Sequence, residues 1–112
     1  MTPLTYQILL ALADEPRHGY GIIKEIEERG GEGSAPSTGA MYLALQRMEG
    51  EGLIEEDTER PREGDDARRK YYRITDTGRA RAEAESRRLA ELVATARSRR
   101  LLGGTAAGGG GA

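Results

Sequence analysis

Two stretches of this chain carry side chains whose types and spacing could recognise another molecule. In "RRKYYRIT", Arg68, Arg69 and Lys70 run directly into Tyr71 and Tyr72. Guanidinium and ammonium groups are donors suited to phosphate oxygens. A strand alternates its side chains between two faces, so Tyr72 and Ile74 fall on one side and Arg69, Tyr71 and Arg73 on the other. The first side packs inward; Arg68, Arg69, Lys70 and Tyr71 are left to meet phosphates. In "STGAMYLALQRMEG", a helix turning about 100° per residue buries Met41, Ala44, Leu45 and Met48. It turns Gly39, Tyr42, Leu43, Gln46 and Gly50 outward, with Arg47 flanking and Ser37 or Thr38 placed to cap its start. Gln46 can bond N6 and N7 of adenine as a bidentate pair, and Leu43 can pack on a thymine methyl. The bland alternatives are that Tyr42 and Leu43 pack on another part of the chain and that "RRKYYRIT" is an ordinary solvated strand.

Charge distribution bears on that choice. The net charge is −2 and the pI about 5.5, yet residues 1–59 carry 4 basic and 12 acidic side chains while residues 60–112 carry 13 and 7. A polyanion would be met by the second half, where Arg60 to Arg73 hold 6 basic and 3 acidic groups. Each cation that neutralises a phosphate releases counterions and adds affinity without sequence information.

Other chemistries find little support. With no cysteine, disulfides, thiolate metal sites and cysteine nucleophiles are excluded together. His18 is the single histidine, and one ligand does not make a metal site; in "HGYG" it is expected to orient the turn between helices. No Ser-His-Asp arrangement is visible, and "GGEGSAPSTG" lacks the Lys-Ser/Thr of a phosphate loop, so neither an enzyme nor a cofactor is expected. The opening "MTPLTYQILLALADEP" has no basic leader, and its apolar run stops at Asp14, so a cytoplasmic protein is expected.

The elements that must position these residues can be read from periodicity. At 112 residues and 12.2 kDa, with 37% hydrophobic residues and neither Trp nor Phe, one domain with a modest aliphatic core is expected. Thr2 and Pro3 start a helix through Leu4, Ile8, Leu9 and Leu12 that Pro16 forbids from continuing. A second helix runs from about Tyr20 to Gly30, "GEGSAPS" is a loop with room for a very short strand, and a third helix spans Gly39 to about Glu51. "LIEEDTER" and "RRKYYRIT", joined by "PREGDDA", read as a β-hairpin with a polar tip. Asp76 or Thr77 then caps a fourth helix to about Leu102, with a narrow stripe through Ala82, Ser86, Leu89, Val93 and Ala96 and Leu92 beside it. The closing "GGTAAGGGGA" reads as a disordered tail.

The resulting fold class is mainly α with a small β-hairpin: a winged helix-turn-helix over residues 1–76, a long helix over 77–102 and a tail over 103–112. In "ILLALADEPRHGYGIIKEIEE", "TGAMYLALQRMEGEGLIEE" and "RRKYYRITDTGRA", over about residues 4 to 100, the chain resembles the PadR family of transcriptional regulators. The likeness is to the short subfamily with a single C-terminal helix. It implies a homodimer in which the third helix enters the major groove of double-stranded DNA and the wing contacts its backbone. Helices one and four would then form the dimer, through Leu4, Ile8, Leu89, Leu92, Val93 and Ala96. It also implies a repressor acting on a pseudo-palindromic operator. Where the family usually shows Gly-Thr-Leu-Tyr-Pro-Ala-Leu-Lys, this chain runs from Gly39 to Gln46 without the hydroxyl at 40, the proline at 43 or the cation at 46. Some relatives hold flat aromatic drugs with tryptophan, which this chain lacks, and the small-molecule effector is unknown. The rival expectation is a winged-helix protein–protein interaction module without specific DNA binding, which would need an apolar rather than a cationic wing.

Overall fold

The computed structural model describes residues 1–30, 33–59, 64 and 68–103. The order is α1 (Pro3–Leu12), β1 (Arg17–His18), α2 (Gly19–Gly30), α3 (Thr38–Gly50), β2 (Ile54–Glu56), β3 (Tyr71–Ile74) and α4 (Asp76–Ser98). Two compact units result, Met1–Ala82 and Glu83–Ala112.

In the first unit, each helix begins and ends for local reasons. The Thr2 side chain accepts from the Thr5 amide at 3.1 Å, and Pro3 occupies the first helical position of α1, where its missing N–H costs nothing. Ser37 caps α3 in the same way, accepting from the Ala40 amide at 3.1 Å. The far end of α3 closes with the Leu53 amide on the Met48 carbonyl and the Gly52 amide on that of Glu49, and Gly52 takes φ +76°. This double bond around a left-handed residue is where glycine is favoured, since any Cβ there meets its own backbone.

The sheet is three-stranded and antiparallel, in the order β1-β3-β2. Glu56 stands opposite Tyr72 and Ile54 opposite Ile74, while Arg17 pairs with Tyr72 from the other side. The hairpin is therefore as expected, but the extra strand is not in "GEGSAPS", whose described residues hold none. It forms at Arg17–His18, just before α2, where no alternation exists in two residues to reveal it. The expected hairpin tip, residues 61–67, lies outside the described residues except Gly64.

The core is aliphatic apart from one ring. Ile8, Leu9 and Leu12 of α1 meet Ile22 and Ile26 of α2, the stripe Met41, Ala44, Leu45 and Met48 of α3, and Leu53, Ile54 and Tyr72 of the hairpin. Arginines pin the rim. Arg29 donates to the Gln7 carbonyl at 3.0 Å and to its side chain at 2.9 Å, Arg17 donates to the Ala11 carbonyl at 2.7 Å, and Arg79 to that of Ala13 at 2.8 Å. Helix ends leave carbonyls without intrahelical partners, and the last two bonds satisfy such groups at and just beyond the end of α1.

Entry into α4 corrects the expected cap. Neither Asp76 nor Thr77 caps it: Thr75 Oγ1 accepts from the Gly78 amide at 3.0 Å and donates to the Gly52 carbonyl at 2.6 Å. One hydroxyl thus serves the start of α4 and the turn after α3. Gly78 lies against the Leu53 carbonyl so closely that a Cβ would collide with it.

In the second unit, α4 ends at Ser98 rather than near Leu102. It closes with the Leu101 amide on the Ala96 carbonyl at 2.8 Å and the Arg100 amide on Arg97 at 3.0 Å, and Arg100 takes φ +64°. This is the same closure as at α3, with an arginine where α3 has glycine. The residues 104–112 of the expected tail lie outside the described residues.

Candidate nucleic-acid interface

The outward face of α3 is open. Tyr42 and Leu43 are 50% and 70% exposed, and Ser37, Thr38, Gly39 and Gln46 are exposed with them. Leu43 and Gln46 differ by three positions, so on a helix they are neighbours that one ligand surface can touch together. Of the alternative in which Tyr42 and Leu43 pack on another element, half is seen: the Tyr42 ring lies over Gly19 of α2, while Leu43 stays largely open.

Arg47 differs from its neighbours on α3. Its Nη2 donates to Thr5 Oγ1 at 2.8 Å, Thr2 Oγ1 donates to the same hydroxyl at 2.9 Å, and Nη1 lies 3.5 Å from Glu51. Thr5 is buried, so Arg47 ties α3 to the capped start of α1 rather than standing beside Gln46.

Arg68, Arg69 and Lys70 precede β3 and are exposed at its root. Lys70 Nζ bonds Glu49 at 3.2 Å and sits 5.3 Å from the centre of the Tyr72 ring. The bond to Glu49 raises the Lys70 pKa above its ordinary value, and burial raises that of Tyr72, so the pair stays as ammonium and neutral phenol. Arg73 takes no part in this surface: it bonds Glu55 at 2.8 Å and Glu59 at 2.9 Å and approaches Asp57 at 3.5 Å, bracing β3 to the strand beside it. The hydrogen bond to Glu55, then that to Glu59, raises its pKa.

Residues that the sequence reading left out complete the site. His18 accepts the Gly21 amide at Nδ1, 3.0 Å away, as expected of a turn-orienting histidine. Its ring also meets Tyr71 edge-on at 5.0 Å and stacks near Tyr20 at 6.4 Å, and Arg69 Nη1 lies 2.8 Å from its Nε2. Tyr42 folds over Gly19, which has no side chain to obstruct it; a Cβ there would lie 2.9 Å from the Tyr42 hydroxyl. A cavity of about 470 Å³ results, lined by Tyr42, Tyr72, Arg68, Arg69 and Lys70. His18 and Tyr20 join it because β1 pairs His18 with Tyr71. "HGYG" was the only sequence signal, and nothing in it specifies that pairing.

The residues expected at a dimer interface divide differently. Ile8 has no exposed surface and belongs to the core, so it is not available to a partner; Leu4 packs partly against that core. On α4, Leu92 and Val93 are 53% and 45% exposed, and Leu89 and Ala96 are intermediate. No described helix is long and apolar enough to cross a membrane, and no described cluster of side chains could hold a metal ion.

Residues 8–84 match the family described as the transcriptional regulator PadR-like family. The chain is 34% identical over 97 residues to the transcriptional regulator Rv3488 of Mycobacterium tuberculosis, covering 87% of this chain and 80% of that protein. It is 38% identical over 85 residues to an uncharacterised 37.1 kDa protein in transposon TN4556 of Streptomyces fradiae, spanning 76% of this chain but 22% of that protein. Among solved structures, a PadR family transcription regulator from Clostridium difficile R20291 superposes with a TM-score of 0.75 at 28% identity, over 87% of this chain and 97% of that one. Bacillus subtilis PadR, solved in complex with operator DNA, gives 0.64 at 27% identity over 75% of this chain and 45% of that one.

Proposed function

We propose, from the premise that this chain belongs to the PadR-like family of transcriptional regulators, that it is a homodimeric repressor that occupies a pseudo-palindromic operator. One α3 enters each major groove, with Gln46 and Leu43 reading base edges, while the root of β3 holds the backbone through Arg68, Arg69 and Lys70. The observation that carries this reading is that Tyr42, on the open face of α3, and those three cations line one cavity. The face of α3 that carries the base readers thereby adjoins the phosphate clamp. Operator binding is what the name of the Bacillus subtilis relative records for that protein, and this chain shares its winged fold. Dimerisation uses the exposed Leu92 and Val93 of α4 together with Leu89 and Ala96.

Selection of duplexes from a random library tests the reading, followed by titration of the winner against salt. An inverted repeat with half-sites about one helical turn apart is expected. Arg68→Ala should weaken all sequences alike and lower the salt slope by about 1 per half-site. Gln46→Ala should leave the slope unchanged and cost about 1–3 kcal/mol of base discrimination. Selection of no sequence above background would refute specific DNA binding.

A further inference from the structure

One glycine of α2 is not explained by its own backbone. Gly19 is the first residue of the helix and is not among the positive-φ glycines Gly33, Gly52 and Gly64, so a side chain could stand there without backbone strain. Nor is it needed as a cap, because His18 Nδ1 accepts the Gly21 amide at 3.0 Å. What requires the missing side chain is the ring of another helix. A Cβ at position 19 would lie 2.9 Å from Tyr42 Oη, 3.1 Å from Cζ and 3.2 Å from Cε1, all closer than an ordinary van der Waals contact. Gly19 is buried and Tyr42 is half exposed, so the ring is covered on the α2 side and borders the cavity lined by Tyr72 and the three cations.

We propose that Gly19 is a positioning residue for base readout, acting through Tyr42. The inference rests on the DNA-binding reading above and adds to it a residue of α2 that need touch no base. On α3 the surface neighbours of Tyr42 include Gly39, three positions before it, and Gln46, four positions after it. Helix side chains lean toward the N-terminus, so Gln46 leans over the turn that carries Tyr42. Leu45, on the inner side, is fully buried and leaves no room there. A ring pushed off Gly19 moves toward the open face, either over Gly39, where nothing lies within 4 Å of a Cβ, or against Gln46. In either place it stands between α3 and the base edges that Leu43 and Gln46 read. The notch at Gly19 thus keeps the bulkiest side chain of that face out of the way of two smaller ones.

The test uses the full chain and a duplex selected by it. The base pair read by Gln46 is the one at which Gln46→Ala loses discrimination. Gly19→Ala should lose about tenfold in discrimination at that same base pair, toward the lower end of what a bidentate contact supplies, while circular dichroism registers a folded protein. In a Tyr42→Ala background the same change should cost less than about twofold, because no ring remains to be displaced. A merely structural role would weaken binding to all sequences alike, and that result would overturn the inference. An equal loss of discrimination with and without Tyr42 would overturn it too. Should Gly19→Ala fail to fold, its combination with Tyr42→Phe removes the atom nearest the new Cβ. Discrimination within about twofold of Tyr42→Phe alone would then refute the inference, and a larger loss confined to the Gln46 base pair would support it. Each of these outcomes leaves the DNA-binding reading standing. Failure to select any duplex would instead bring down that reading and the inference together.

Discussion

Single residues in this protein are specialised by what surrounds them, not by their type. Of the arginines and lysines around the wing, Arg73 is spent on three carboxylates of its own chain and Arg47 on a buried threonine, while Lys70 is held by Glu49 over Tyr72. Their substitutions should therefore differ in kind. Arg47→Ala should leave the salt slope of DNA binding nearly unchanged while lowering stability, because it cuts α3 loose from Thr5. Among the described glycines Gly78 has the least room: alanine would drive a Cβ into the Leu53 carbonyl, and a loss of at least about 1–3 kcal/mol in urea unfolding is expected. Tyr72 sets a pH limit. Burial holds its pKa above the ordinary 10.0, so the folded state keeps the phenol proton more tightly than the unfolded chain does. The resulting stability is complete below about pH 10 and is lost as pH rises through the folded value. Tyr72→Phe should flatten the alkaline limb of stability measured by thermal melts between neutral pH and pH 11.

At the scale of elements, the same physical device recurs with different residues. Helices α3 and α4 both end in a left-handed residue that closes a double hydrogen bond, Gly52 in one and Arg100 in the other. For an L-residue that conformation costs about 1–2 kcal/mol. Gly52→Ala should accordingly destabilise the winged unit by about 1 kcal/mol. Arg100→Gly should raise the helicity of the last turns of α4, which circular dichroism at low temperature would register. Thr75 links two elements through one hydroxyl, so Thr75→Ala removes both the cap of α4 and the bond to Gly52. A loss toward the upper part of the usual 0.5–2 kcal/mol for a cap is expected, and Thr75→Ser should recover most of it.

For the molecule as a whole, the compact unit Met1–Ala82 has a core with Tyr72 as its only ring, and α4 leaves Leu92 and Val93 open to solvent. In the proposed homodimer a partner covering those side chains would supply apolar burial that the second unit does not find within its own turns. If the proposed dimer closes over Leu92, Leu92→Asp should leave a folded monomer in sedimentation experiments and weaken DNA binding, since a charge in an apolar seam is left unpaired. Persistence of a dimer in that variant would move the interface elsewhere.

The stripe Met41, Ala44, Leu45 and Met48, the open face through Tyr42, Leu43 and Gln46, and the inward direction of Tyr72 were all legible in the sequence. Period alone decides which residues share one side of a helix or strand, and these positions follow it. The family likeness was legible for the same reason, as motifs along the chain. What lies across the chain was not. The strand at Arg17–His18 is too short to show alternation and exists only because β3 offers it an edge. That pairing brings His18 to Tyr71 and Arg69, with 51 residues separating His18 from Arg69, and so builds the cavity. The commitment of Arg47 to Thr5 spans 42 residues, and the burial of Ile8 depends on which face of α1 the other helices cover. Side-chain periodicity is a property of neighbours in sequence, whereas hydrogen-bond partners are chosen in three dimensions after the helices have packed.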